Sequence, residues 1–139
     1  MNINARRELF DSLSQTIVQW FQLKMTRSEC QQYFAHKEIG AFVIRKSSFT
    51  TANMPTLDWF TLVIKKSADQ AAPLHNILVG HDRTSRLFTI MGAQPGQDDL
   101  LFDNLQSMLL NFIIDPDVGR RSPVALILPG QSAGGNLLL

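Results

Sequence analysis

The sequence predicts an α+β domain in which a small central antiparallel β-sheet is flanked by two α-helices, with an extra N-terminal helix. Apolar residues make up 45% of the 139 residues, which suffices for one hydrophobic core and excludes a disordered chain. The predicted strands follow one another with no helix between them, so neighbouring strands are expected to pair antiparallel. Helical patterns lie only before and after this strand region, as in α+β proteins.

Two helical patterns precede the strands. In residues 1–19, interpreted as an N-terminal amphipathic extension, apolar side chains recur at helical spacing and continue to Trp20. A second helix is predicted to begin at residues 26–29, because Thr26 and Glu29 have the spacing of a capping box. Cys30 then lies on the apolar side of this helix, and Gly40 ends it.

The strands and the last helix follow in that order. Four apolar runs have the composition of strands, and they cover residues 40–45, 59–64, 74–79 and 86–90. After a loop at residues 91–99, a core-facing helical stripe is formed by Leu105, Met108, Leu109 and Phe112. Residues 124–128 are predicted as a short closing strand, and the Gly-rich tail at residues 131–139 as flexible.

Charge and cysteine content exclude several classes of protein. With 13 basic and 12 acidic residues the net charge is +1, without the excess of cations typical of a nucleic-acid binder. The single cysteine, Cys30, excludes an internal disulfide and a cysteine-based metal site, and we expect no cofactor. The longest apolar run, residues 124–128, is far shorter than the roughly 20 residues of a membrane span. We therefore expect a cytoplasmic, monomeric protein with one domain at residues 20–130.

Arg45 is the residue with the clearest chemical meaning. Alternation along its strand places it on the same side as Val43, an apolar position, and a buried guanidinium requires an anionic partner. Ser47, Ser48 and Thr50 follow in a short polar loop that supplies hydroxyls and backbone N–H groups. An arginine, hydroxyls and loop amides together are groups that bind phosphate. A buried ion pair between Arg45 and an Asp or Glu is the alternative.

The order of residues argues against an enzyme. Residues 130–134 match the nucleophile elbow of esterases, but no Asp, Glu or His follows Ser132 to complete a triad. A cysteine-based phosphatase loop would place an arginine six residues after Cys30, where His36 stands. The sequence contains no Gly-rich Walker loop and no kinase signature. We therefore expect a non-catalytic binding module.

Residues 40–47, Gly-Ala-Phe-Val-Ile-Arg-Lys-Ser, resemble the phosphotyrosine-binding signature of SH2 domains, Gly-x-Phe-Leu-Val-Arg-x-Ser. Trp20 and Phe21 resemble the opening aromatic pair of that family, and residues 26–30 resemble the start of its first helix. Two later segments are similar to the strand that carries the family's histidine and to the start of its second helix: residues 74–77 and 101–109. The resemblance covers about residues 20–130.

The resemblance implies a binding site for phosphotyrosine. Arg45 matches the arginine at the floor of the family's phosphate pocket, and Arg27 matches the helix arginine that contacts the phosphate. His75 matches the strand histidine beside the phosphotyrosine. A solvated surface cation is the alternative for Arg27, and a core histidine is the alternative for His75. The complete implied site consists of Arg27, Arg45, Ser47, Ser48, Thr50 and His75.

The function implied by the resemblance is reversible binding of tyrosine-phosphorylated peptides or proteins. The chain would serve as a signalling adaptor, or as a pathogen effector that engages phosphotyrosine proteins in the host cytosol. The segments that would contact flanking peptide residues (76–78, 91–101 and 114–123) contain no aromatic residue, so we expect shallow selectivity of about tenfold. The alternative is a structural or scaffolding interaction domain with a degenerate pocket, in which the N-terminal helix carries the interaction.

Overall fold

The computed structural model describes residues 2–48, 56–90 and 100–129. In chain order the elements are α1 (Ile3–Gln15), α2 (Ile17–Trp20), α3 (Arg27–Phe34), β1 (Phe42–Lys46), β2 (Leu57–Ile64), β3 (His75–Asp82), β4 (Phe88–Ile90), β5 (Leu100–Phe102), α4 (Leu105–Ile114) and α5 (Pro116–Gly119). The strands pair antiparallel in the order β1-β2-β3-β4-β5. This confirms the predicted α+β fold with a central antiparallel sheet, flanking helices and an N-terminal helix.

Alternation along the strands gives the sheet two apolar faces. On one face, Val43 and Val63 pack with Cys30 and Phe34 of α3; we name this side the α3 face. On the other face, which we name the α4 face, the strands build the main core with the buried side of α4. The central members of that core are Phe42, Ile44, Leu62, Ile64, Val79, Met108, Leu109 and Phe112.

The N-terminal helical segment shares the main core with the rest of the chain. The single predicted helix is divided into α1 and α2 at Thr16. Leu9 and Leu13 of α1 are buried in the core that includes α4. Trp20 is fully buried, and its Nε1 donates a hydrogen bond of 2.9 Å to the Leu13 carbonyl. The apolar stripe of this segment is therefore covered by the domain itself.

Local hydrogen bonds set the start of α3. The Thr26 hydroxyl accepts a hydrogen bond from the Glu29 N–H, and the Glu29 carboxylate accepts one from the Thr26 N–H, each at 3.1 Å. This is the predicted capping box, and it places Arg27 at the first position of the helix. Gly40 follows with φ +97°, a conformation that favours glycine, and a Cβ there would overlap the carbonyl oxygen of Ala125.

One sequence-based expectation about strands was wrong, and one strand was not predicted. Residues 124–128 do not form a strand: the Ile127 N–H donates to the Gly40 carbonyl at 3.0 Å, but this bond is not continued into a ladder with a described strand. Leu126, Ile127 and Leu128 are nevertheless buried, because an apolar run predicts burial and not strand pairing. Strand β5 was missed, because a three-residue edge strand has too little pattern to be recognised.

Several predicted features lie outside the described residues, namely Thr50, the loop at residues 91–99 and the tail at residues 131–139. Within the described ranges, no helix is both long enough and apolar enough to cross a bilayer. The same ranges contain no group of His, Cys, Asp and Glu side chains that could hold a metal ion.

Candidate functional site

The candidate site is centred on Arg45, near the end of β1. Arg45 pairs with Thr61 of β2, and Thr61 pairs with Leu78 of β3, so the three residues form a row across the sheet. Alternation from Val43 places this row on the α3 face. The row spans two strand spacings, about 10 Å. Arg45 is half-buried, less than the buried guanidinium that the sequence predicts, and Thr61 is buried.

The Arg45 guanidinium has unused hydrogen-bonding capacity. Its Nη1 donates a bond of 3.3 Å to the Lys46 carbonyl. Its Nε is buried and has no hydrogen-bond partner among the described residues. The carboxylates in the described ranges do not form an ion pair with Arg45; their ion pairs are Arg83–Asp58 and Arg120–Asp117. A buried donor without a partner costs about 1–3 kcal/mol, and a bound anion would remove that cost.

Cys30 of α3 lies next to the Arg45 guanidinium. Burial raises the pKa of the Cys30 thiol, while the charge of Arg45 and a hydrogen bond from it act in the lowering direction and are smaller. The thiol therefore stays neutral near neutral pH, because the folded pKa lies above its ordinary value of about 8.5. Cys30 consequently does not supply the anion that Arg45 lacks. It also lacks the low pKa of a nucleophilic cysteine.

Arg27 lies on the same side of α3 as Cys30. It precedes Cys30 by three residues and Phe34 by seven, which is the spacing of one helix face. Its side chain is exposed, and within residues 2–48, 56–90 and 100–129 it forms no ion pair. Because Cys30 adjoins Arg45, Arg27 lies on the helical turn that precedes this contact.

The predicted loop residues follow directly after Arg45 and Lys46. Ser47 is half-buried, and its backbone N–H donates a bond of 3.0 Å to the Trp59 carbonyl of β2. Ser48 is exposed. The structure thus places both serines at the Arg45 end of the sheet.

The position of His75 corrects the expectation that it lines the same pocket as Arg45. His75 pairs with Ile64, and two residues later Ile77 packs into the main core on the α4 face. By alternation His75 belongs to that face, whereas Asn76 belongs to the α3 face. For His75 to face Arg45, the observed pairing of β3 would have to shift by one residue, since a one-residue shift moves a side chain to the opposite face.

Sequence reasoning missed three residues on the α3 face: Thr61, Leu78 and Lys65. The alternation of β2 could have indicated Thr61, but Leu78 required the pairing register. Lys65 lies at the other end of this face, where it contacts the C-terminal end of α3. A groove of about 390 Å³ lies at that other end, where it is lined by residues 65–67 and 69–74 and by the C-terminal half of α3. It does not include Arg45.

The fold was compared with known proteins. No protein-family model matches the sequence, and no curated protein matches it. Among solved structures, the chain is similar to the solution structure of the VAV1 SH2 domain complexed with a tyrosine-phosphorylated peptide from SLP76. The two are 16% identical, the TM-score is 0.53, and the match covers 84% of this chain and 70% of the other. At this identity the similarity concerns the fold, which agrees with the sheet order and flanking helices described above. The chain therefore has an SH2-like fold.

Proposed function

We propose that this chain is a non-catalytic module that binds phosphotyrosine in peptides or protein tails. The ligand would enter between α3 and the sheet, with its phosphate on Arg45. Arg27, Ser47, Ser48 and Thr50 are proposed as further phosphate ligands. The row from Thr61 to Leu78 would contact the tyrosine ring.

The observation that carries this proposal is the state of Arg45. Its Nε is buried without a described partner, and no described carboxylate neutralises the guanidinium. A phosphate dianion offers the paired oxygen acceptors that match the geometry of an arginine. Arg27 adds a second cation one helical turn away from Cys30, the residue that adjoins Arg45.

The structural neighbour supports the same ligand class. Its structure contains an SH2 domain with a tyrosine-phosphorylated peptide, and this chain shares the fold of that domain. The described residues that would contact flanking positions include Asn76, Leu78 and the segment of α5. They contain no aromatic residue that could form the wall of a deep pocket. Shallow selectivity of about tenfold is therefore part of the proposal.

The scaffolding alternative is less well supported by the structure. It requires the N-terminal helix to offer its apolar stripe to a partner. Leu13 and Trp20 of that stripe are buried within the domain, and the other two members, Phe10 and Ile17, pack against its main core. Either proposed cellular role, signalling adaptor or pathogen effector, would use the Arg45 pocket.

The direct test is to titrate the protein with a tyrosine-phosphorylated peptide and, separately, with its unphosphorylated twin, and to measure binding by isothermal titration calorimetry. We expect saturable binding of the phosphorylated peptide and at least about a hundredfold weaker binding of the twin, because only the phosphate satisfies Arg45. A phosphoserine peptide with the same flanking residues is the control. We expect it to bind weakly, because the shorter side chain would not carry its phosphate as far as Arg45. Equal binding of the first two peptides would overturn the proposal.

A further inference from the structure

We infer that Trp20 is a positioning residue for Arg45 and that it joins the N-terminal helix α1 to the phosphate site. The inference rests on the proposed function, because it concerns how the guanidinium that would receive the phosphate is held. Trp20 belongs to the main core on the α4 face, whereas Arg45 lies on the α3 face, so the connection runs through hydrogen bonds of residues 20–23 and 44–46. Helix α1 lies outside residues 20–130, the part of the chain that resembles the SH2 family.

The first link joins Trp20 to the end of α1. Its indole Nε1 donates a hydrogen bond of 2.9 Å to the carbonyl of Leu13, and both residues are fully buried. Leu13 lies in the last turn of α1, where carbonyls lack partners within the helix. The Thr16 hydroxyl is 3.4 Å from the same carbonyl, but it has a single hydrogen and lies closer to the Ser12 carbonyl, at 2.8 Å. Trp20 is therefore the main donor to the Leu13 carbonyl, and it fixes the end of α1 to the segment that follows.

The second link joins the segment after Trp20 to the outer side of β1, the first strand of the sheet order. The Gln22 N–H donates to the Ile44 carbonyl at 2.8 Å, and the Lys46 N–H donates to the Leu23 carbonyl at 3.4 Å. Ile44 and Lys46 are the two chain neighbours of Arg45. The arginine proposed to bind the phosphate therefore lies between two residues that this segment holds in place.

The third link reaches the guanidinium itself. Arg45 Nη1 donates a hydrogen bond of 3.3 Å to the Lys46 carbonyl, while Arg45 Nε has no partner among the described residues. The backbone of Lys46 thus bonds to Leu23 through its N–H and to Arg45 through its carbonyl. A displacement of the segment that contains Leu23 moves the Lys46 carbonyl and, with it, the guanidinium. Two phosphate oxygens bind best to a guanidinium with a fixed orientation, so such a displacement weakens phosphate binding.

The test compares the full chain with its Trp20→Phe variant, which keeps an aromatic ring but removes the Nε1 donor. Calorimetry measures the affinity of both chains for a tyrosine-phosphorylated peptide, at a temperature at which circular dichroism shows both to be folded. We expect Trp20→Phe to bind about three- to tenfold more weakly, which is within the range for residues that act on a site without touching its ligand. Affinities that agree within about 1.5-fold would overturn the inference.

Leu126→Ala is the matched control for a loss of overall stability. Leu126 is buried in the same main core as Trp20, but its neighbour Ile127 bonds to Gly40, which precedes the start of β1. This variant should lower the midpoint of urea denaturation and leave the affinity for the phosphopeptide unchanged. An equal loss of affinity in both variants would overturn the inference, because Trp20 would then act only through the stability of the core.

Hydrogen exchange tests the same connection on the unsubstituted chain. Coupling between two sites is reciprocal, so a saturating concentration of phosphopeptide should slow the exchange of the Trp20 indole N–H and of the Gln22 N–H. The slowing should exceed that of the Ile127 N–H, which bonds to the Gly40 carbonyl away from the site. Equal slowing at all three groups, or none, would overturn the inference even if Trp20→Phe failed to fold.

The outcomes separate this inference from the proposed function. If the unsubstituted chain does not bind the phosphopeptide, the proposed function fails and the inference fails with it. If the unsubstituted chain binds the phosphopeptide and Trp20→Phe binds it equally well, only the inference fails. In that case Trp20 is a core residue without influence on Arg45.

Discussion

Lys65 donates a hydrogen bond of 2.6 Å from its side-chain ammonium group to the carbonyl of Phe34, the last residue of α3. The same group donates a bond of 2.7 Å to the Lys37 carbonyl. Lys65 is only 7% exposed, which is unusual for a lysine. Since the last carbonyls of a helix lack partners within the helix, Lys65, the residue that follows β2, supplies a donor to the Phe34 carbonyl and to the Lys37 carbonyl just beyond the helix. This contact fixes the C-terminal end of α3 against the sheet and so helps to position Cys30 beside Arg45.

Replacing Lys65 with Met should destabilise the protein. The substitution keeps a long side chain but leaves the Phe34 and Lys37 carbonyls without their charged donor, which costs about 1–3 kcal/mol. Urea denaturation measures the loss, with Lys66→Met as the control for removing a lysine nearby. A midpoint equal to that of the unsubstituted chain would contradict the assigned role.

Replacing Arg45 with Ala should nearly abolish phosphopeptide binding and leave the protein folded. Loss of one partner of a desolvated charge pair costs about 2–5 kcal/mol, or about 30-fold to several thousand-fold in affinity. Arg45→Lys retains the charge but loses the planar fork, so we expect an intermediate loss. Calorimetry measures both affinities, and circular dichroism checks the fold. An Arg45→Ala chain that binds within about threefold of the original would refute the pocket assignment.

The pairing register of β3 predicts different effects for substitutions at two of its residues, Leu78 and His75. Leu78 lies in the row that contains Arg45, whereas His75 belongs to the α4 face. Leu78→Lys adds a cation at the proposed ring site and should raise affinity for the phosphopeptide by about two- to fivefold. His75→Ala should change the affinity by less than about twofold. A large loss of affinity in His75→Ala alone would show that the ligand contacts the other face.

Phosphopeptide affinity should fall as the pH is lowered below about 6. The second pKa of a phosphate ester is about 6, so the dianion that pairs with Arg45 and Arg27 is lost on protonation. Isothermal calorimetry between pH 5 and pH 8 measures this, with a sulfotyrosine peptide as the control because its charge does not change over this range. Parallel curves for the two peptides would indicate that a protein group titrates instead.

The buried thiol of Cys30 should reduce stability at alkaline pH. Burial raises the pKa of Cys30 in the folded state, so the unfolded chain loses this proton first as the pH rises. Ionisation of Cys30 therefore leaves the free energy of unfolding unchanged below about pH 8. Above the ordinary thiol pKa of about 8.5, ionisation in the unfolded chain lowers the free energy of unfolding. Denaturation curves at several pH values measure this decrease, which should be smaller in Cys30→Ala. An equal decrease in both chains would exclude Cys30 as its source.

Much of the site could be predicted from local patterns. The capping box of Thr26 and Glu29 places Arg27 at the start of α3, because its hydrogen bonds join residues three apart. Alternation along β1 places Arg45 on the side of Val43, because the period of a strand is two residues. Both features depend on near neighbours in the chain. The sequence alone contains that information.

Other features were decided by contacts between distant segments. The face of His75 follows from its pairing with Ile64, and the same residues shifted by one position would present the opposite face. Residues 124–128 are apolar enough for a strand, but the adjacent segment at Gly40 accepts one backbone hydrogen bond from them and does not continue into a ladder. Apolar composition determines that such a segment is buried. It does not determine which backbone groups it meets.

By itself, the sequence determined the fold class, the start of α3 and the side of the sheet that carries Arg45. Only the tertiary structure decided that Thr61 and Leu78 extend the row of Arg45, that His75 faces away from it, and that Lys65 closes the end of α3. The physical reason is the range of the interactions. Caps and alternation act over two to four residues, whereas the bond from Lys65 to Phe34 joins residues 31 positions apart and exists only after the chain has folded.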